Sequence, residues 1–158
     1  IMNKKGLSMI SIVIYVVLFF AFSAFAVGMA TNMNYRTLSQ KGEIINAEGL
    51  QKLQYNLLSS AKDSSSIDII TDKIIFSNDD VYTYDENKKK VYKNDGIIAS
   101  DVTSFKIITA EELQNVPESF IENLDKNIDY LCIEVTFSKY DKTLTEKIFV
   151  AVGDDFNV

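Results

Sequence analysis

From Leu7 through Ala30 the chain runs for twenty-four residues without a single charge, directly behind Lys4-Lys5-Gly6. As a helix rising about 1.5 Å per residue, such a run is long enough to cross the roughly 30 Å hydrocarbon core of a bilayer. No other feature constrains the fold as much, because a helix apolar on every side has no face to turn toward water. The sequence after Thr31 is polar enough to form a soluble domain. The expected architecture is one N-terminal membrane helix that carries a head.

The remaining length allows one domain of modest size. The chain has a net charge of −6, and its first 31 residues contribute only two lysines, so the head is distinctly acidic. Nucleic acid and anionic lipid both require clustered Lys and Arg, so no nucleic-acid partner is expected. Lys88-Lys89-Lys90 is the one basic run and reads as a solvated turn. With one cysteine, Cys132, no disulfide can close within the chain. There is no histidine, so neither a Ser-His-Asp nor a Cys-His arrangement can be assembled. Zinc would have to be held by carboxylates and one thiolate, and no phosphate-binding glycine loop is present. The chain is therefore expected to be no enzyme and to need no cofactor. Cys132 alternates opposite to Ile133 and reads as a small packed side chain. Asp79-Asp80 and Asp154-Asp155 offer the oxygen ligands that calcium prefers, although acidic turn residues are ordinarily just solvated. Tyr82, Tyr84 and Tyr92 read either as an exposed adhesive stripe or as cross-strand packing.

No proline interrupts the chain between Leu7 and Lys62, and from Tyr35 onward the pattern becomes amphipathic. At 100° per residue Tyr35, Leu38, Gly42, Ile45, Gly49, Leu50, Leu53, Leu57 and Ala61 share one side. The membrane segment and this amphipathic segment are expected to form one helix, ended by the loop Asp63-Ser64-Ser65-Ser66. Gly28, Gly42 and Gly49 each cost a helix roughly 1 kcal/mol against alanine. Beyond the loop, strand and turn signals alternate. Ile67–Ile70 and Lys73–Phe76 flank Thr71-Asp72, and Val81–Tyr84 and Lys90–Lys93 flank a polar tip. Asn94-Asp95-Gly96 is a turn into Ile97-Ile98, and Ser104–Ile108 is a further strand. Glu111–Asn127 reads as a loop with one or two helical turns. Tyr130–Lys139 and Leu144–Val152 close the chain around the turn Tyr140–Thr143. The predicted fold is α+β, a long helix packed on one antiparallel meander with a single buried face.

Three readings of the N-terminus compete. Ala24-Phe25-Ala26 satisfies the small-x-small pattern of a secretory signal, which would release a soluble protein. Yet the apolar run exceeds the usual core of about 7–15 residues, and helical patterning continues for thirty residues beyond it. A plain anchor is the second reading, with a binding domain outside and Lys4 and Lys5 held in the cytoplasm by the positive-inside rule. The third uses the residues around Gly6. Lys4-Lys5-Gly6-Leu7-Ser8-Met9-Ile10 resembles the processing site of the type IV pilin superfamily. The resemblance implies a leader, residues 1–6, cut by a membrane aspartic peptidase between Gly6 and Leu7, with N-methylation of Leu7. It further implies a filament-core helix over residues 7–30, an amphipathic continuation over 31–62 and a β head over 63–158.

The order of the head resembles minor pilins and pseudopilins of the J and W type. The matching features are the tyrosine-bearing hairpin Val81–Lys93, Gly96-Ile97-Ile98, Asp101-Val102-Thr103-Ser104-Phe105 and the late strand pair. The chain departs from the superfamily at Ser11, five residues into the implied mature chain, where most members carry a glutamate that pairs with a neighbour's methylated amine. The resemblance implies a filament subunit whose partners are other pilins, the prepilin peptidase, the cytoplasmic membrane and the pilus assembly machinery. It would be a single-pass membrane protein before assembly and part of a cell-surface filament afterwards, initiating and tipping it rather than building the shaft.

Overall fold

The proline-free N-terminal stretch forms one α-helix, α1 (Lys4–Lys62). The structure, a computed structural model, describes residues 4–71, 73–108 and 130–152, with side chains from residue 9 onward. The expectations for Glu111–Asn127 and for Asp154-Asp155 lie outside the described residues. The chain divides into two compact units, Ile1–Gln40 and Lys41–Val158. In the second unit the C-terminal part of α1 packs on antiparallel sheets, so the α+β class holds.

The helix ends where serines take over its last carbonyls. Ser64 Oγ donates to the Ser60 carbonyl at 2.6 Å, and Asn78 Nδ2 reaches the same oxygen at 3.3 Å. These bonds satisfy an acceptor that would otherwise be orphaned at a helix C-terminus, and Lys62 in the last turn suits the helix dipole.

Among the described residues eight strands follow. β1 (Ile67–Ile70), β2 (Lys73–Phe76), β3 (Val81–Asp85), β4 (Lys90–Lys93) and β5 (Gly96–Ser100) form a five-stranded sheet in sequential order. β6 (Val102–Ile108), β7 (Tyr130–Lys139) and β8 (Lys142–Ala151) form a separate three-stranded sheet. The predicted hairpins are all present, but the single meander is not. Asp101 is the reason. It alone separates β5 from β6, and it adopts a left-handed conformation (φ 61°) that turns the chain out of the first sheet. Val102 N–H still bonds Lys89 of the first sheet's hairpin, while the Asp101 carbonyl accepts from Ser138 N–H of β7. The Asp101 carboxylate also pairs with Lys139 at 2.9 Å. Irregular register at Val91/Tyr92 and at Val102/Ser104 flanks this joint, and such bulges bend a strand where a ladder must stop.

The turn between β7 and β8 is tighter than the four residues expected. Tyr140 and Asp141, at φ 48° and 61°, make a two-residue loop, so β8 begins at Lys142. Positive φ at both central residues matches the twist of an antiparallel pair. One core joins all three layers: Leu53, Leu57 and Ala61 of α1, Ile74, Phe76, Tyr82 and Val91 of the first sheet, and Leu131, Ile133, Val135, Phe137, Ile148 and Val150 of the second.

The buried line along α1 differs in part from the predicted stripe. Gly42, Asn46, Leu53, Leu57, Ser60 and Ala61 are buried, whereas Ile45 is exposed, as are Tyr35 and Leu38. Asn46 takes the place expected for Ile45 because the β7–β8 turn brings a peptide carbonyl against the helix there. Asn46 Nδ2 donates to the Lys142 carbonyl at 2.9 Å. A Cβ at Gly42 would collide with the Lys139 carbonyl oxygen, and one at Gly49 would lie 2.8 Å from the Phe137 ring. These two glycines let the helix approach the second sheet closely; nothing lies within 4 Å of the corresponding position at Gly28.

Candidate functional site: the N-terminal helix and the polar knot beneath α1

Lys4, Lys5, Gly6 and Leu7 form the first turn of α1; their side chains lie outside the described set. Glycine at Gly6 lowers the local helix propensity beside the Gly6–Leu7 bond. Ser11 follows one turn later, on an exposed part of the helix.

Beyond Ser11 the helix is apolar on every side. Tyr15, Phe19 and Phe22 on one side of the axis are 73%, 68% and 72% exposed, and Val13, Val17 and Phe20 on the opposite side are 58%, 61% and 67% exposed. A helix with this surface is long and apolar enough to cross a membrane. Near its polar end Thr31 and Thr37 donate their hydroxyls to the Val27 and Met33 carbonyls, both at 2.9 Å. Bonding back to the preceding turn hides each hydroxyl against the helix. Chemically, this segment can dissolve in lipid or pack among similar helices.

Among the described residues a connected polar cluster lies where α1 ends. Asp80 Oδ2 accepts from Ser60 Oγ at 2.6 Å and pairs with Lys93 Nζ at 2.8 Å, while Asp80 Oδ1 accepts from Asn94 Nδ2 at 2.8 Å. Tyr82 OH donates to the Asn56 carbonyl at 2.7 Å and lies 2.7 Å from Ser60 Oγ. Burial alone would raise the Asp80 pKa, but hydrogen bonds from Lys93, Ser60 and Asn94 outweigh it and hold the carboxyl below its ordinary value. For Lys93 burial works downward, and Asp80 overrides it so that the ammonium is held above its usual range. Burial pushes the Tyr82 phenol up. The cluster ties the end of α1 to β3 and β4 and has every partner it needs, so it serves as a fastening.

This arrangement reassigns several of the candidate residues. Asp80 belongs to the knot, Asp79 is an exposed turn residue at φ 68°, and among the described residues no three metal-ligating side chains come together. The tyrosines form no common stripe. Tyr82 and Tyr84 face the core side of β3, with Tyr82 fully buried, whereas Tyr92 pairs with Thr83 on the opposite face. Alternation along a strand makes that separation unavoidable. Cys132 is fully buried beside Phe149 and Ile108, and burial raises its thiol pKa, which suits packing rather than nucleophilic attack. Lys88 and Lys89 are solvated in the β3–β4 turn, as expected. Sequence reading missed Asn46 and Ser60 as functional parts of the packing. Only their spacing within the buried line of α1 hinted at them.

Compared with known proteins, the chain matches no protein family, no curated protein and no solved structure.

Proposed function

We propose that this protein is a minor type IV pilin or pseudopilin, an assembly subunit that enters a surface filament through its N-terminal helix. The observation that carries the reading is a basic Lys4-Lys5-Gly6 segment at the start of a charge-free helix that runs on without a break into the head. A cleavable leader on the cytoplasmic side, a helix soluble in lipid and an outer head form the minimum equipment for such a subunit. Hydrolysis of the Gly6–Leu7 peptide bond frees the Leu7 amine, which is then methylated. The helix moves from the bilayer into the apolar filament core, and the head stays in water.

Ser11 bears on where in the filament the subunit sits. In an apolar core an unpartnered charge costs several kcal/mol, and serine supplies no carboxylate to a neighbour's amine. A subunit of this kind suits the filament end, where no earlier subunit's amine awaits neutralisation.

Intact-mass and N-terminal sequencing of the cellular protein tests the proposal. The expected mature chain begins at N-methylated Leu7. A chain retaining Lys4-Lys5-Gly6 would indicate a plain anchor, and one beginning at Val27 a signal peptide; either result rejects the reading. Gly6→Arg should block maturation while leaving membrane insertion intact. Immunogold labelling should mark filament ends sparsely, and dense labelling along the shaft would reject the tip placement.

A further inference from the structure

Helix α1 lies close on the β7–β8 hairpin, yet it buries almost nothing apolar there. Of residues 41–49 only Gly42 and Asn46 are buried, and neither carries an apolar side chain. Leu53, Leu57 and Ala61, one to three turns further on, belong to the core. Hydrophobic stabilisation follows the apolar area removed from water, so α1 gains it after Leu50 and hardly any before.

Polar contacts do not make up the difference. Asn46 Nδ2 bonds the Lys142 carbonyl at 2.9 Å, but among the described residues the buried Asn46 Oδ1 has no hydrogen-bond partner. A buried acceptor in that position has given up its bonds to water, and unwinding restores them. The Glu43–Lys142 pair at 2.8 Å is exposed and contributes little. Local propensity points the same way. Five of the eight residues from Gly42 to Gly49 are glycine, isoleucine or asparagine, weaker helix formers than the Leu, Gln and Lys that dominate the next eight. Each glycine lowers helix formation about fivefold against alanine. Neither has room for a Cβ, which would meet the Lys139 carbonyl oxygen at Gly42 and the Phe137 ring at Gly49. The residues that admit the hairpin are therefore the ones that weaken the helix. The hairpin itself keeps its shape without α1, because its ladder runs unbroken from Tyr130↔Ala151 to Lys139↔Lys142.

We propose that residues 42–49 are a releasable strap: this stretch of α1 unwinds from the β7–β8 hairpin while the core of the head stays folded. The docked form predominates, and the unwound form is a minor population. Unwinding takes the strap from about 1.5 Å to about 3.3 Å of rise per residue, which lengthens it by up to about 14 Å. It lies at the start of the second compact unit, Lys41–Val158, and its release gives the head an extendable attachment. The strap does not rest on the filament reading, since any protein anchored through this helix would possess it.

Amide hydrogen exchange of the full chain in detergent micelles tests the strap. Protection across Gly42–Gly49 should be at least about a hundredfold lower than across Tyr55–Ser60. Dilute urea should leave exchange in the strap nearly unchanged and speed it steeply at Tyr55–Ser60, because local opening exposes little new surface. Ala47 is exposed, so Ala47→Gly acts through helix propensity and should speed exchange in the strap about fivefold. Val91→Ala truncates the core in β4. It should speed exchange at Tyr55–Ser60 at least about tenfold and leave the strap's rate as it was. Equal protection in the two stretches, an equal response to urea, equal acceleration by Val91→Ala, or no response to Ala47→Gly would each overturn the proposal. Any of the first three would mean that α1 leaves the hairpin only when the whole head unfolds. Should Val91→Ala not fold, the urea series on the unaltered chain decides by itself.

Discussion

Asp80 shows how much one side chain can fasten. Its carboxylate is 17% exposed and gathers Ser60 from α1, Lys93 from β4 and Asn94 from the following turn. Because its folded pKa lies below the unfolded value of about 3.9, its stabilisation is complete above that pH and is lost as pH falls through the folded value. Lys93 is shifted upward, so its contribution is present below about pH 10.4 and is lost only as pH rises through its folded pKa. Asp80→Asn should lower stability by roughly 1–3 kcal/mol at neutral pH. Urea unfolding should show that the gap between variant and native protein narrows below about pH 4. The sequence displayed Asp80 as one of two adjacent turn aspartates. What distinguishes it from Asp79 is the arrival of Ser60, twenty residues earlier in the chain.

At the scale of elements, the contact between α1 and the β7–β8 turn is the sharpest fit in the head. Helix propensity favours Gly42→Ala by about 1 kcal/mol. The added methyl, however, would meet the Lys139 carbonyl oxygen, which is backbone and held by the hairpin register. Overpacking of that kind ordinarily costs about 1–3 kcal/mol, so the substitution should lower the thermal midpoint despite the better propensity. A rise in the midpoint would mean that helix and hairpin separate readily. The Glu43–Lys142 ion pair at the same contact is exposed, at 60% and 41%, and contributes little. The carbonyl that bonds Asn46 sets the position of the turn more firmly. It fixes a buried amide against a particular peptide group.

On the scale of the whole molecule, the core draws on no described residue before Leu50. The N-terminal apolar segment should therefore be dispensable for folding of the head. A chain beginning at Asn32 should be soluble and should unfold cooperatively. Circular dichroism of a disordered chain, or obligate aggregation, would show that the head depends on the N-terminal helix. The full chain, by contrast, exposes large apolar side chains from Met9 to Met33 and should need detergent or lipid.

The sequence by itself determined the features that depend on neighbours along the chain. The charge-free run marked a membrane-compatible helix, the absence of proline carried that helix to Lys62, and period-two patterns with Asn-Asp-Gly and Tyr-Asp turns marked the hairpins. Each of these follows from local backbone preference and side-chain polarity, which need no knowledge of distant residues. Tertiary structure alone decided that the strands split into two sheets at Asp101, and that Asn46, Ser60 and Tyr82 are buried. These choices depend on partners far away in sequence, as with Asn46 and the carbonyl of Lys142, ninety-six residues apart. Burying a polar side chain costs least where folding brings such a partner within hydrogen-bond reach, as it does for the Asn46 amide nitrogen.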